Sequence, residues 1–250
     1  MGTIAMLATR GASRQRPSAT PEVAERAIMM CNSTLFGGLS QRECEEIAAN
    51  AQTRSYPKDE TLYMEGHPAR VLALILSGSV KISRLGTKGD EVILWMAKPG
   101  DTIGVLADSL TRSHTCSAHA MEPSTLLTWD FSRLQKFLEE FPRIGINIGA
   151  ILSGRLNELQ ERFREVATEK VDKRVALAIL RLAAQIGKPE DGGIEVPLTR
   201  EELAQMTGTT LFSVSRQLSK WGEEGIVLPR REAVVVLDAR RLGIIGMRGD

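Results

Sequence analysis

The period of hydrophobic and polar positions changes repeatedly along this chain. Over residues 21–52 it is helical, in PEVAERAIMMC and then LSQRECEEIAANA on either side of a turn at Phe36-Gly37-Gly38. Ser40 followed by Glu43 forms a capping box, which marks the start of the second helix. From about 53 to 131, short apolar runs (TLYM, VLALIL, SVKIS, EVILWMA, STLLTW) alternate with the turn clusters EGHP, LSGS, GTKGD and KPGD. Closely spaced strands with glycine at the corners predict a small barrel or roll. The helical period then returns. SRLQKFLEEF is predicted to start with Ser132 as its cap and to stop before Pro142.

Beyond Pro142, Leu152, Leu156, Leu159, Phe163 and Val166 step by 4, 3, 4 and 3. Arg155, Glu158, Gln160, Glu161, Arg162 and Arg164 surround that narrow seam, which suits pairing with a second helix. A homodimer interface is the expectation, and packing within its own domain is the alternative. VDKRVALAILRLAAQI (171–186) is a further helix, GKPEDGG an exposed turn, and IEVPLT a short strand.

The most informative stretch is LTREELAQMTGTTLFSVSRQLSKWGEEGIV, residues 198–227. Thr199 and Glu202 form a second capping box, and Gly208 ends that helix in a sharp turn. Thr209 or Thr210 restarts the chain, and Val214, Leu218 and Trp221 give the next helix a buried face. Two short helices across a glycine turn make a helix-turn-helix. Ile226-Val227-Leu228 and Ala233 to Leu237 read as a hairpin with Arg230 and Arg231 at its tip, which adds a wing. On this reading the second helix enters the major groove. Arg216 can donate twice to guanine, while Thr210, Ser213, Ser215 and Lys220 serve bases or phosphates.

Composition narrows the classes that remain. The chain has 250 residues, is 42% hydrophobic and 25% charged, and carries a net charge of only +1. Nucleic-acid contact must therefore come from a local surface; the part from 171 onward has 12 basic and 11 acidic side chains. No apolar run approaches the roughly 18 residues that a membrane span needs. Residues 1–20, with Arg10, Arg14 and Arg16 and no acid, are expected to be a disordered tail. Cys31, Cys44 and Cys116 make no CxxC, so reduced structural thiols and a cytoplasmic setting are expected. No P-loop, HExxH, GxSxG or dinucleotide glycine fingerprint points to an enzyme.

Taken together, LFGGLS, EGHPA, ILSGSVKI, PGDTIG, the long helix and TREELAQMTGTT…VSRQLSKWGEEGIV resemble the cyclic-AMP receptor/fumarate–nitrate regulator superfamily of bacterial transcription factors. The resemblance spans about residues 35–245. It implies an α+β chain: an N-terminal double-stranded β-roll of jelly-roll type (21–131 with its helices), a dimerisation helix region (132–168) and a C-terminal winged helix-turn-helix (169–250). Its partners would be palindromic promoter DNA, RNA polymerase and a second copy of the chain. Ser215 and Arg216 match the positions that redox-type members use on bases. Phe212, beside Leu211, stands where many members carry a base-reading glutamate, and a phenylalanine prefers a thymine methyl. TTLFSVSR is most similar to the nitrogen-oxide-responsive branch.

In nucleotide-binding members the cassette after PGD-x-x-G offers a glutamate to the ribose and an Arg-Ser pair to the phosphate. Here Val105 follows Gly104, and His114-Thr115 stand at the Arg-Ser positions; Arg112-Ser113 fit only in a shifted register. The expected effector pocket is thus Gly104, Val105, Arg112, His114, Thr115 and Cys116, for a signal other than cyclic AMP. A cyclic-nucleotide site of divergent chemistry is the alternative. No metal or cofactor is expected. Haem on His114 or His119, in a nitric oxide or oxygen sensor, is the other alternative, and Cys116 is a candidate redox thiol.

Overall fold

A computed structural model describes residues 20–87, 89–105 and 112–247. The 1–20 tail lies outside the described residues except for Thr20, which precedes α1 (Pro21–Cys31). The Ser40–Glu43 capping box is formed: Ser40 N–H donates to Glu43 Oε2 at 2.7 Å, and α2 (Gln41–Ala48) begins there. The reduced-thiol expectation fails for two of the three cysteines. Cys31 at the end of α1 is disulfide-bonded to Cys44 in α2, with their Cα atoms 6.3 Å apart. Spacing alone did not reveal that the turn between the helices packs them together and brings these positions into reach.

Among the described residues, eight strands follow in two antiparallel four-stranded sheets. One has the order β1-β8-β3-β6, from β1 (Gln52–Tyr56), β8 (Ser124–Asp130), β3 (Val71–Ser77) and β6 (Thr102–Ile103). The other has the order β2-β7-β4-β5, from β2 (Thr61–Tyr63), β7 (Ser117–Ala120), β4 (Val80–Leu85) and β5 (Glu91–Ala97). The run VLALIL is apolar throughout because both faces of β3 are covered. Leu72 and Leu74 pack with Leu127 and Trp129 beneath the helices, while Ala73 and Ile75 join Leu126 and Ile103 inside the roll. Gly104 is required where it stands: its φ is +87°, and a Cβ would lie 2.4 Å from the Val71 carbonyl oxygen.

Helix α3 (Phe131–Glu140) begins two residues earlier than expected, with Asp130 rather than Ser132 at the N-cap. Pro142 opens α4 (Pro142–Thr168), a helix of 27 residues and about 40 Å. Asn147 pins its first half to the roll, donating to the carbonyls of Leu35 at 2.8 Å and Gly37 at 2.9 Å.

The C-terminal part is built from α5 (Val171–Ile186), β9 (Lys188–Glu190), β10 (Gly193–Val196), α6 (Arg200–Thr207), α7 (Leu211–Glu223), β11 (Val227–Pro229), β12 (Val234–Val236) and α8 (Ala239–Met247). The fold is the expected α+β arrangement, with two corrections. Lys-Pro-Glu in the supposed turn is β9, which pairs with β10 and completes a sheet of order β11-β12-β10-β9. The chain also closes on α8, which packs on α5 and which no sequence signal announced. Val175, Ile179, Leu203, Val214, Leu218 and Trp221 make the core, and Ile93 and Met96 of β5 join it from the roll. No helix among the described residues is long and apolar enough to cross a membrane.

Candidate nucleic-acid interface and sensor cavities

The helix-turn-helix forms as its caps dictate. Thr199 accepts from the Glu202 N–H at 3.1 Å, and Glu202 accepts from the Thr199 N–H at 2.8 Å. Gly208 takes the left-handed conformation (φ +60°) that stops α6. Thr210, not Thr209, caps α7, its hydroxyl accepting from the Ser213 N–H at 3.2 Å. With Val214, Leu218 and Trp221 buried, α7 turns Phe212, Arg216 and Lys220 outward together, one helical turn apart. Phe212 is 75% exposed and Leu211 is 50% exposed. Ser213 and Ser215 are half-buried at the edges of this face.

The wing tip differs from expectation. Arg230 donates to Glu195 at 2.9 Å and to Glu190 at 2.6 Å, and both carboxylates hold its charge in place. It braces the wing sheet rather than pointing free cationic charge outward. Arg231 is exposed beside it. Sequence reading missed this because Glu190 belongs to the strand taken for a turn.

Along α4 the expected seam is open. Leu152, Leu156, Leu159, Phe163 and Val166 are all exposed, Phe163 at 76%. Arg162, expected among the solvated flanks, points inward instead. It donates to the carbonyls of Ile93 at 2.8 Å and Met206 at 2.9 Å, and to that of Leu94. One guanidinium thus joins the roll to the end of α6. Glu165, also buried, meets Arg181 of α5 in a bidentate pair.

The cassette residues lie around two cavities. The inner one, beneath α4, is lined by Tyr63, Trp95, Gly104, Val105, His114, Cys116 and Arg155, and its free volume is about 10 Å³. That is room for about one water. Arg155 lies 5.1 Å from the Trp95 ring centroid and 3.5 Å from Asp101. Trp95 Nε1 and Thr102 Oγ1 are buried there without a hydrogen-bond partner. Tyr63, Gly104 and Cys116 line this cavity together, and burial pushes the Tyr63 hydroxyl pKa up.

His114 is fixed by backbone pairing with the EGHPA turn: its N–H donates to the His67 carbonyl at 2.9 Å, and its carbonyl accepts from Gly66 at 2.8 Å. Its ring stacks on Tyr63 with centroids 3.8 Å apart. Burial holds its pKa below the usual 6.5, with His67 adding to the effect. Arg112 and Thr115, expected in the pocket, are exposed. Cys116 is buried and burial pushes its thiol pKa up, the opposite of what a reactive thiol needs. The inner cavity, with room for about one water, does not fit a haem, and His119 Nδ1 is bonded to Thr61 Oγ1 at 3.0 Å. Among the described residues no three His, Cys, Asp or Glu side chains form a metal site.

Comparison with known proteins places this architecture. The Cyclic nucleotide-binding domain family matches residues 53–141, and the Crp-like helix-turn-helix domain family matches residues 173–243. The "Cyclic AMP receptor protein" of Thermus thermophilus is 30% identical over 198 residues, which is 79% of this chain and 89% of that protein. The chain belongs to the cyclic-AMP receptor/fumarate–nitrate regulator superfamily. A "CRP-like cAMP-activated global transcriptional regulator" of Mycobacterium tuberculosis is 27% identical over 216 residues, 86% of this chain and 96% of that one. The solved structure of FixK2 from Bradyrhizobium japonicum superposes with a TM-score of 0.70 at 24% identity, covering 80% of this chain and 99% of that chain. This is therefore a DNA-binding transcription regulator with a cyclic-nucleotide-binding type of roll and a winged helix-turn-helix. The exposed face of α7 carries Phe212, Arg216 and Lys220.

Proposed function

We propose that two copies of this regulator pair along α4 and place two α7 helices in successive major grooves of promoter DNA. They do so under the control of a signal other than cyclic AMP. The open seam carries the dimer. Each exposed Leu, Val or Phe there is worth about 1.5–3 kcal/mol when buried, and their steps keep them on one stripe of the helix. Arg216, which has no carboxylate partner among the described residues, carries the base reading at the centre of the exposed α7 face, with Lys220 and Arg231 for phosphates. RNA polymerase is the partner that a promoter-bound regulator meets next. Two relatives are named for cyclic AMP, but this chain differs where that ligand is recognised. The Val105 side chain accepts no ribose hydrogen bond, His114 is stacked on Tyr63 with its pKa lowered by burial, and the cavity beneath α4, walled by Tyr63 and Arg155, has room for about one water.

Selection of bound duplexes from a random pool tests the DNA reading. The expected product is a two-fold symmetric site with half-sites about one helical turn, roughly 34 Å, apart. Recovery of no symmetric motif, or an unchanged motif with Arg216→Ala, contradicts it.

A further inference from the structure

Helix α7 buries Val214, Leu218 and Trp221 and leaves its other large apolar side chains, Leu211 and Phe212, in solvent at its first two positions. Arg216 lies one helical turn beyond Phe212 on the same outward face. The apolar pair is therefore continuous with the face that meets DNA, and the N-terminal residues of a recognition helix are those that reach base edges. DNA is the occupant that this continuity favours.

The groups around Phe212 decide what it can read. The first turn of α7 carries no acidic side chain. The Thr210 and Ser213 hydroxyls on either side are bonded to each other at 3.0 Å, and Thr210 Oγ1 also accepts from the Ser213 N–H at 3.2 Å. Ser215 is half-buried, and Arg216 and Lys220 can only donate. In the major groove a cytosine presents an amino donor and a thymine a carbonyl acceptor. A phenyl ring pairs with neither, so it does not separate the two bases by hydrogen bonding. It does separate a C5-methyl group from a bare C5–H, because the methyl is apolar surface to bury. Thymine and 5-methylcytosine carry that methyl at the same ring carbon, whereas uracil and cytosine lack it.

We propose that Phe212, flanked by Leu211, reads the C5-methyl group of a pyrimidine rather than the identity of the base. Thymine and 5-methylcytosine then make the same contact, and uracil and unmethylated cytosine lose it. Methylation of a cytosine at that base pair raises affinity instead of blocking it. Four residues of helix rise about 6 Å and base pairs lie about 3.4 Å apart. The methyl is thus within about two base pairs of the guanine that Arg216 meets. The proposal rests on the reading that α7 enters the major groove.

Anisotropy titrations of the full chain on duplexes built from the selected site test it. Each thymine is replaced in turn by deoxyuracil, which removes the methyl and keeps the pairing. One position in each half-site is expected to lose about fourfold in affinity when changed, the worth of one buried methyl. With C·G at that position, 5-methylcytosine is expected to bind about fourfold more tightly than cytosine. Phe212→Ala, at an exposed position, should abolish both differences with melting temperature unchanged. Arg216→Ala should weaken binding and keep them. No sensitivity to deoxyuracil at any position, no gain from cytosine methylation, or full sensitivity in Phe212→Ala would each overturn the methyl reading. Recovery of no selected site would overturn the major-groove reading, and the proposal with it.

Discussion

Arg216 and Arg230 are both arginines of the winged helix-turn-helix, and what lies within reach of each guanidinium separates them. Arg230 is held by Glu190 and Glu195; Arg216 has no such partner among the described residues. Arg216→Ala should cost about 1–3 kcal/mol of specific DNA affinity and relax preference at one base pair, as read by anisotropy on the selected site. Arg230→Ala should leave base preference intact and act through the wing. His114 gives a prediction of a different kind. Its folded pKa lies below 6.5, so below about pH 6.5 the unfolded chain binds the proton that the folded chain refuses. Stability is therefore lost as pH falls through that window, and no linkage from this group operates above it. His114→Phe keeps a ring on Tyr63 and should flatten the fall in denaturation midpoint between about pH 7.5 and pH 5.5. An equal fall in wild type and variant would show that the histidine is not the group responsible.

At the level of elements, most of what could be read from the sequence came from caps and periods. Ser40–Glu43 and Thr199–Glu202 each announced a helix start that the structure contains, because a capping box is a local device that needs no tertiary context. Non-local pairings were hidden. Lys188–Glu190 has a proline and flanking glycine and reads as a turn, and only its pairing with β10 makes it a strand. In α8, ARRLGIIGM carries two glycines, poor helix formers, and the helix exists because it packs on α5. Arg162 was equally unreadable, since a charged residue in a polar-flanked helix is normally solvated. The seam of α4 was legible and is exposed as a stripe. Phe163→Glu with Leu156→Glu, both pointing outward, should leave the fold intact and shift the species in analytical ultracentrifugation from dimer to monomer. A dimer that persists in this variant would place the interface elsewhere.

On the scale of the whole molecule, the roll and the winged domain share more than a linker. Ile93 and Met96 of β5 sit in the C-terminal core, Arg162 ties β5 to α6, and Lys58–Glu232 (3.0 Å) and Lys188–Glu122 (2.6 Å) bridge the same two parts. Both ion pairs are largely solvent-facing and add little. Arg162 is different, because removing it strands buried carbonyls at about 1–3 kcal/mol each. Arg162→Met should therefore speed hydrogen exchange in α6 and β5 before it does so elsewhere, and uniform exchange would show that no such tie exists. The same architecture serves relatives named for cyclic AMP that are 27–30% identical to this chain, and the proposed difference in signal rests on Val105, His114 and Tyr63 around the inner cavity. Calorimetric titration of the purified full chain with cyclic AMP tests that difference most directly. No binding is expected at concentrations up to about 1 mM, with DNA affinity unchanged by the nucleotide. Saturable micromolar binding that alters DNA affinity would contradict it.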